Sequence, residues 1–138
     1  MTSDLTLESI RATIWAENHL EEKTLDSSEL ARQIVDIISD KKGSDILMLD
    51  TRPVSFISDF FVIATCDSER QTQAIADDIQ KQLKKESVLP LGVEGTPDSG
   101  WMLMDYNGVI VHLFSPAMRD FYRLEKLWDH APVVVRMR

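Results

Sequence analysis

Few residues in this chain combine the types and spacing that chemistry needs. Asp67-Ser68-Glu69 is its one Asp-x-Glu. Two carboxylates at that spacing on a strand would hold a divalent metal against phosphates, as in a metal-dependent nucleotidyltransferase. Here the pair falls where a helix should begin, and acids there complement the helix dipole without any metal. Asp105 and His112 are a second candidate, because a carboxylate orienting an imidazole makes a general base. No serine or cysteine falls beside them, and Ser115 is better used as a helix cap. Cys66 is the only cysteine, which excludes an internal disulfide and a cysteine-based zinc cluster. It ends an apolar run without a basic or histidine neighbour, so it reads as a small buried side chain rather than a nucleophile. His19, His112 and His130 are scattered without metal-ligand spacing. With five glycines and neither G-x-G-x-x-G nor G-x-x-x-x-G-K, the chain has no glycine-rich phosphate loop, and neither a catalytic centre nor a resident metal is expected.

The elements that position Asp105 and His112 are easier to read. Asn107-Gly108 separates two apolar-rich runs and predicts a two-residue type I′ hairpin. In that register Tyr106 faces Val109, Met104 faces Val111 and Met102 faces Leu113, all on a core face. The other face pairs Asp105 with Ile110, Leu103 with His112 and Trp101 with Phe114. Two readings of that second face stand side by side. It is a partner-binding surface of aromatic anchors with polar handles, or it is covered by a helix with Asp105 and His112 satisfied inside.

Around the hairpin the chain alternates helix and strand. Asp26 to Lys42 forms a helix with a capping-box start and Gly43 at its C′ position. Ile46–Leu49 is a buried strand, and Phe60–Cys66 is a central one, apolar on both sides. A helix runs from Ser68 to about Glu86 on the stripe Ile75, Ile79 and Leu83. Leu89–Gly95 is an edge strand. Ser115-Pro116 opens a last helix with Ala117, Phe121, Leu124 and Trp128 at three- to four-residue spacing. The outcome is a single α/β domain, with a mixed sheet of about five strands and helices packed on its faces. Residues 26–128 make that domain. Residues 1–25 are an extension whose Leu7, Ile10 and Ile14 give a partial helical stripe, and residues 129–138 are a tail.

A chain of 138 residues supports one good core. No run of about 18 apolar residues could span a membrane, and the acidic start lacks the form of a secretory signal, so a cytoplasmic protein is expected. A net charge of −8 argues against non-specific nucleic-acid binding and suits a basic protein partner. Residues 1–26 alone carry a net −4.

Several motifs in order resemble the ribosomal silencing factors, also called Iojap-like proteins. They are Asp59-Phe60-Phe61-Val62-Ile63, Ser68-Glu69-Arg70-Gln71, Ala74-Ile75-Ala76-Asp77 and Pro90-Leu91-Gly92-Val93-Glu94-Gly95. Trp101 with Asp105, Val109-Ile110-Val111-His112, and Phe121-Tyr122 with Leu124-Glu125-Lys126-Leu127-Trp128 complete the set. The resemblance covers about Asp45 to Trp128 and leaves out the first 25 residues and the tail. Ser55-Phe56-Ile57-Ser58 fits the family loosely. The resemblance implies a nucleotidyltransferase-like core without its catalytic acids, no enzymatic activity and no cofactor. It further implies binding to protein fourteen of the large ribosomal subunit, which blocks joining of the small subunit, and a capacity to form homodimers. Register and resemblance together nominate Trp101, Leu103, Asp105, Ile110, His112 and Phe114 as the contact face. Trp101 would be the anchor, Leu103 its packing neighbour, Asp105 an acceptor and His112 a hydrogen-bonding support. The alternatives from other classes are a nucleotidyltransferase using Asp67 and Glu69, or a dimeric scaffold without ribosome binding.

Overall fold

Apolar periodicity decides the first element. In the computed structural model, which describes residues 27–138, helix α1 spans 27–40 and buries Ala31, Ile34, Val35, Ile37 and Ile38. Gly43 N–H donates to Ile38 O (2.9 Å) and Lys42 N–H to Ser39 O (3.0 Å), the paired bonds of a Schellman ending. The left-handed residue is Lys42 (φ 67°), not Gly43 as expected. Glycine is needed at 43 for space, since a Cβ there would stand 2.4 Å from Ile38 Cγ2. Gly43→Ala should therefore lower stability by about 1–3 kcal/mol through overpacking. Urea unfolding would measure it, and a midpoint equal to wild type would contradict the close approach.

The strands are β1 (Ser44–Asp50), β2 (Phe60–Thr65), β3 (Gly92–Glu94), β4 (Trp101–Asp105), β5 (Val109–Phe114) and β6 (Val133–Met137). Between them lie α2 (Glu69–Lys85), a 3-10 turn (Pro97–Ser99), α3 (Pro116–Tyr122) and α4 (Leu124–Leu127). The sheet order is β3-β4-β5-β2-β1-β6, with β2 and β5 parallel and the other neighbours antiparallel. β2 is central and buried along its whole length, which explains why its sequence is apolar on both sides.

Two expectations need correction. Residues 129–138 are not a tail, because β6 pairs antiparallel with β1, from Leu49↔Val133 to Ile46↔Met137. The three consecutive valines favour a strand, and they cover an apolar strand that would otherwise be an open edge. The last helix is also broken. Arg123 takes φ 48° between α3 and α4, and Phe121 on α3 is 75% exposed.

Helices cover both faces of the sheet. On one, α1 and α2 pack Ile34, Ile38, Ile75, Ile79 and Leu83 against Met48, Val62, Met104, Val111 and Leu113. On the other, a smaller cluster joins Leu47, Leu49, Phe61, Ile63, Phe114 and Ala131, with Met118, Leu124 and Trp128 packed over it. None of the described helices is long and apolar enough to cross a membrane.

Candidate functional site

β4 and β5 pair as Trp101↔Phe114, Met102↔Leu113, Leu103↔His112, Met104↔Val111 and Asp105↔Ile110, the register expected from the sequence. The turn that sets it is of another kind. Asn107 takes φ 74° while Gly108 stays out of the left-handed region, so it is not type I′. Gly108 N–H donates to Tyr106 O (3.1 Å), closing a γ-turn, and Asp105 Oδ1 accepts from Asn107 N–H (2.8 Å). Gly108 is required by its neighbours. A Cβ would lie 2.2 Å from Ser27 Oγ at the start of α1, and its carbonyl accepts from Asp59 N–H (2.8 Å) and Phe60 N–H (3.0 Å).

The hairpin separates its two faces as pattern alone suggested. Met102, Met104, Tyr106, Val109, Val111 and Leu113 are all buried in the larger core. On the nominated face the six residues divide. Phe114 is fully enclosed and His112 is 4% exposed, so neither is open to a partner. Trp101, Leu103, Asp105 and Ile110 are half-buried. α3, α4 and Trp128 thus cover one end of this face and leave the other partly open.

An aromatic stack fixes the boundary between those ends. Trp101 lies 5.0 Å from Phe114 and 4.7 Å from Tyr122, centroid to centroid, and its indole Nε1–H donates to His112 Nδ1 (3.2 Å). An accepting Nδ1 places the imidazole proton on Nε2, which has no partner. Burial lowers the His112 pKa to about 4 and keeps the ring neutral. Phe61 closes the pocket edge-on at 4.9 Å from His112 and 4.8 Å from Trp128. Tyr122 and Phe121 extend the open side, with rings 5.1 Å apart. The sequence places Phe121 among the apolar residues of the last helix, and neither Phe121 nor Tyr122 is in the contact face nominated from it. The usable signal was their adjacency just before the helix break, next to a face that a terminal helix had to meet.

The other candidates are spread apart. Asp105 is engaged by the turn and His112 by Trp101, so they do not form an acid–base pair. Asp67 and Glu69 are exposed at the start of α2. Ser68 Oγ accepts from Gln71 N–H (3.0 Å), while Gln71 Oε1 accepts from Asp67 N–H (2.6 Å). The same Gln71 donates to the carbonyls of Lys41 (3.2 Å) and Lys42 (3.0 Å), tying the end of α1 to the start of α2. This cap is a structural joint. Cys66 is 1% exposed and burial pushes its thiol pKa up, away from nucleophilic character. Among the described residues no three His, Cys, Asp or Glu side chains gather to hold a metal.

Fold and site define a class: an α/β domain with a mixed six-stranded sheet and an aromatic corner left open on one face. The family model described as "Ribosomal silencing factor during starvation" matches residues 24–137. The ribosomal silencing factor RsfS of Halalkalibacterium halodurans is 36% identical over 80% of this chain and 94% of its own length. That of Bacillus subtilis is 39% identical over 68% of this chain and 80% of its own. The chloroplastic protein Iojap of Arabidopsis thaliana is 33% identical over 77% of this chain and 44% of its own length. A crystal structure of a Chromobacterium violaceum protein superposes with TM-score 0.71 and 37% identity, covering 74% of this chain and 85% of that one. The chain belongs to the ribosomal silencing factor family.

Proposed function

We propose that this protein represses translation by binding the large ribosomal subunit through its protein fourteen and sterically excluding the small subunit. The observation that carries the proposal is the open corner formed by Trp101, Leu103, Asp105 and Ile110, continued by Tyr122 and Phe121. Large aromatic side chains with polar handles, half-covered and held rigid from behind, are the usual anchors of protein contacts. The net charge of −8 favours encounter with a basic ribosomal protein. The mechanism is occupancy: a bound factor fills volume that the small subunit needs, so affinity and placement decide the effect and no turnover is involved.

Co-sedimentation with isolated subunits tests the proposal. Binding to the large subunit alone, with loss of subunit joining, is the expected result. Equal binding to both subunits, or to neither at physiological salt, would overturn it. The double variant Asp67→Ala, Glu69→Ala should inhibit joining as wild type does, since neither exposed side chain takes part in the aromatic contacts of the corner. A nucleotide-dependent activity in wild type that this variant loses would favour the nucleotidyltransferase alternative.

A further inference from the structure

The aromatic corner leaves unexplained the charge that lies beside it. Residues 116–138 carry five Arg and Lys against three Asp and Glu, in a chain whose balance is −8. The five cations gather around two adjoining clefts, of about 460 and 260 Å3, which share Asp45, Arg119 and Glu125. Arg119 builds the wall between them. It donates to Glu125 Oε1 (3.2 Å), to Thr65 Oγ1 (2.9 Å) and to the Asp45 carbonyl, and its side chain is only 12% exposed. Arg123 and Lys126 line the first cleft, Arg136 and Arg138 the second, and all four are exposed. Arg123 Nε–H donates to the Asp120 carbonyl (3.2 Å), and its guanidinium stands 3.8 Å from the carboxylate of that Asp120, which is itself 82% exposed, an ion pair worth little in water. Lys126, Arg136 and Arg138 make no ion pair among the described residues.

We propose that this cationic edge takes the sugar-phosphate backbone of ribosomal RNA while the Trp101 corner engages the ribosomal protein. The inference rests on the ribosomal reading above for its setting. Its own support is placement and charge. Tyr122 packs against Trp101 with its ring tilted and is followed directly by Arg123, so corner and edge adjoin. The guanidinium fork of arginine matches phosphate oxygens. An acidic body approaches a polyanion only where its local charge is reversed, and residues 116–138 are such a region.

The test compares the full chain with the double variant Arg123→Asn, Lys126→Gln. Asparagine tolerates the left-handed backbone at 123, and thermal melting checks that the fold is kept. Affinity is measured for isolated ribosomal protein fourteen and for the intact large subunit across a salt series. The expected result is unchanged affinity for the isolated protein and roughly tenfold weaker binding to the subunit at low salt. The slope of log affinity against log salt should also fall by about two. Equal affinity for the subunit overturns the proposal. So does a loss of the same size on the isolated protein, or a loss on the subunit without change of slope, which would mark an acidic protein surface instead. If wild type binds the subunit but not protein fourteen, the protein contact fails while the salt slope still decides the RNA contact. If the melting curve shows the first variant unfolded, Arg136→Gln with Arg138→Gln at the second cleft gives the same comparison.

Discussion

Trp101→Ala is expected to weaken binding to the ribosomal partner about thirtyfold or more, the equivalent of roughly 2 kcal/mol for an aromatic anchor. The indole is partly open to solvent, yet it is held on three sides by Phe114, Tyr122 and the His112 ring nitrogen. That rigidity means little ordering cost on binding, the condition under which a half-buried aromatic contributes most. The same contacts predict some loss of stability on truncation. Met104→Ala is the control from the opposite face of the same strand. Met104 is fully buried, so its truncation should cost about 2–5 kcal/mol of stability and affect binding only through unfolding. Melting temperature and affinity measured on both variants decide the matter. If Trp101→Ala melts as low as Met104→Ala and binds as wild type does, Trp101 belongs to the core and the proposed contact is wrong.

The fold was legible where periodicity and caps speak for themselves. The hairpin register is legible in the alternation of both strands, because slipping one strand by a residue would send its three core side chains to the other face. Ser68 at the start of α2 and Ser115-Pro116 at the start of α3 were readable as caps, and both serines accept the expected N–H. Local pattern failed where the deciding partner is distant in sequence. The strand character of Val133-Val134-Val135 is plain, but only the open edge of β1, more than eighty residues earlier, gives it something to pair with. The helix break at Arg123 has no glycine or proline to announce it. It follows from packing, since Met118, Leu124 and Trp128 must reach the second core and a straight helix would not bring all three there.

The site was legible as a face and not as a set of contacts. Parity placed Trp101, Leu103, Asp105, Ile110, His112 and Phe114 together, and the sheet confirms that they share one side. Parity says nothing of what lies above the sheet. The covering elements enclose Phe114 and His112 and leave four of the six partly open. Tyr122 joins the corner from α3 for the same tertiary reason. The expected extension stripe, Leu7, Ile10 and Ile14, lies outside the described residues.

Acidification is expected to destabilise the fold through His112, on the order of 3 kcal/mol in all between about pH 6.5 and pH 4. Burial lowers the folded-state pKa from 6.5 to about 4. In that window the unfolded chain binds a proton that the folded one refuses, so stability rises with pH. The contribution is fully present above about pH 6.5 and is lost as the pH falls through the folded value. Protonation would also place a second N–H on the ring where Nδ1 now accepts from Trp101, so the indole would lose its tether as the core acquired a charge. His112→Phe should remove this component of the pH dependence while leaving the carboxylates to titrate as before. Chemical denaturation of both proteins at pH 7 and near pH 4.5 measures the difference. Equal stability losses in the two proteins would show that His112 is not held neutral by its surroundings, and the tether between His112 and Trp101 would have to be reconsidered with it.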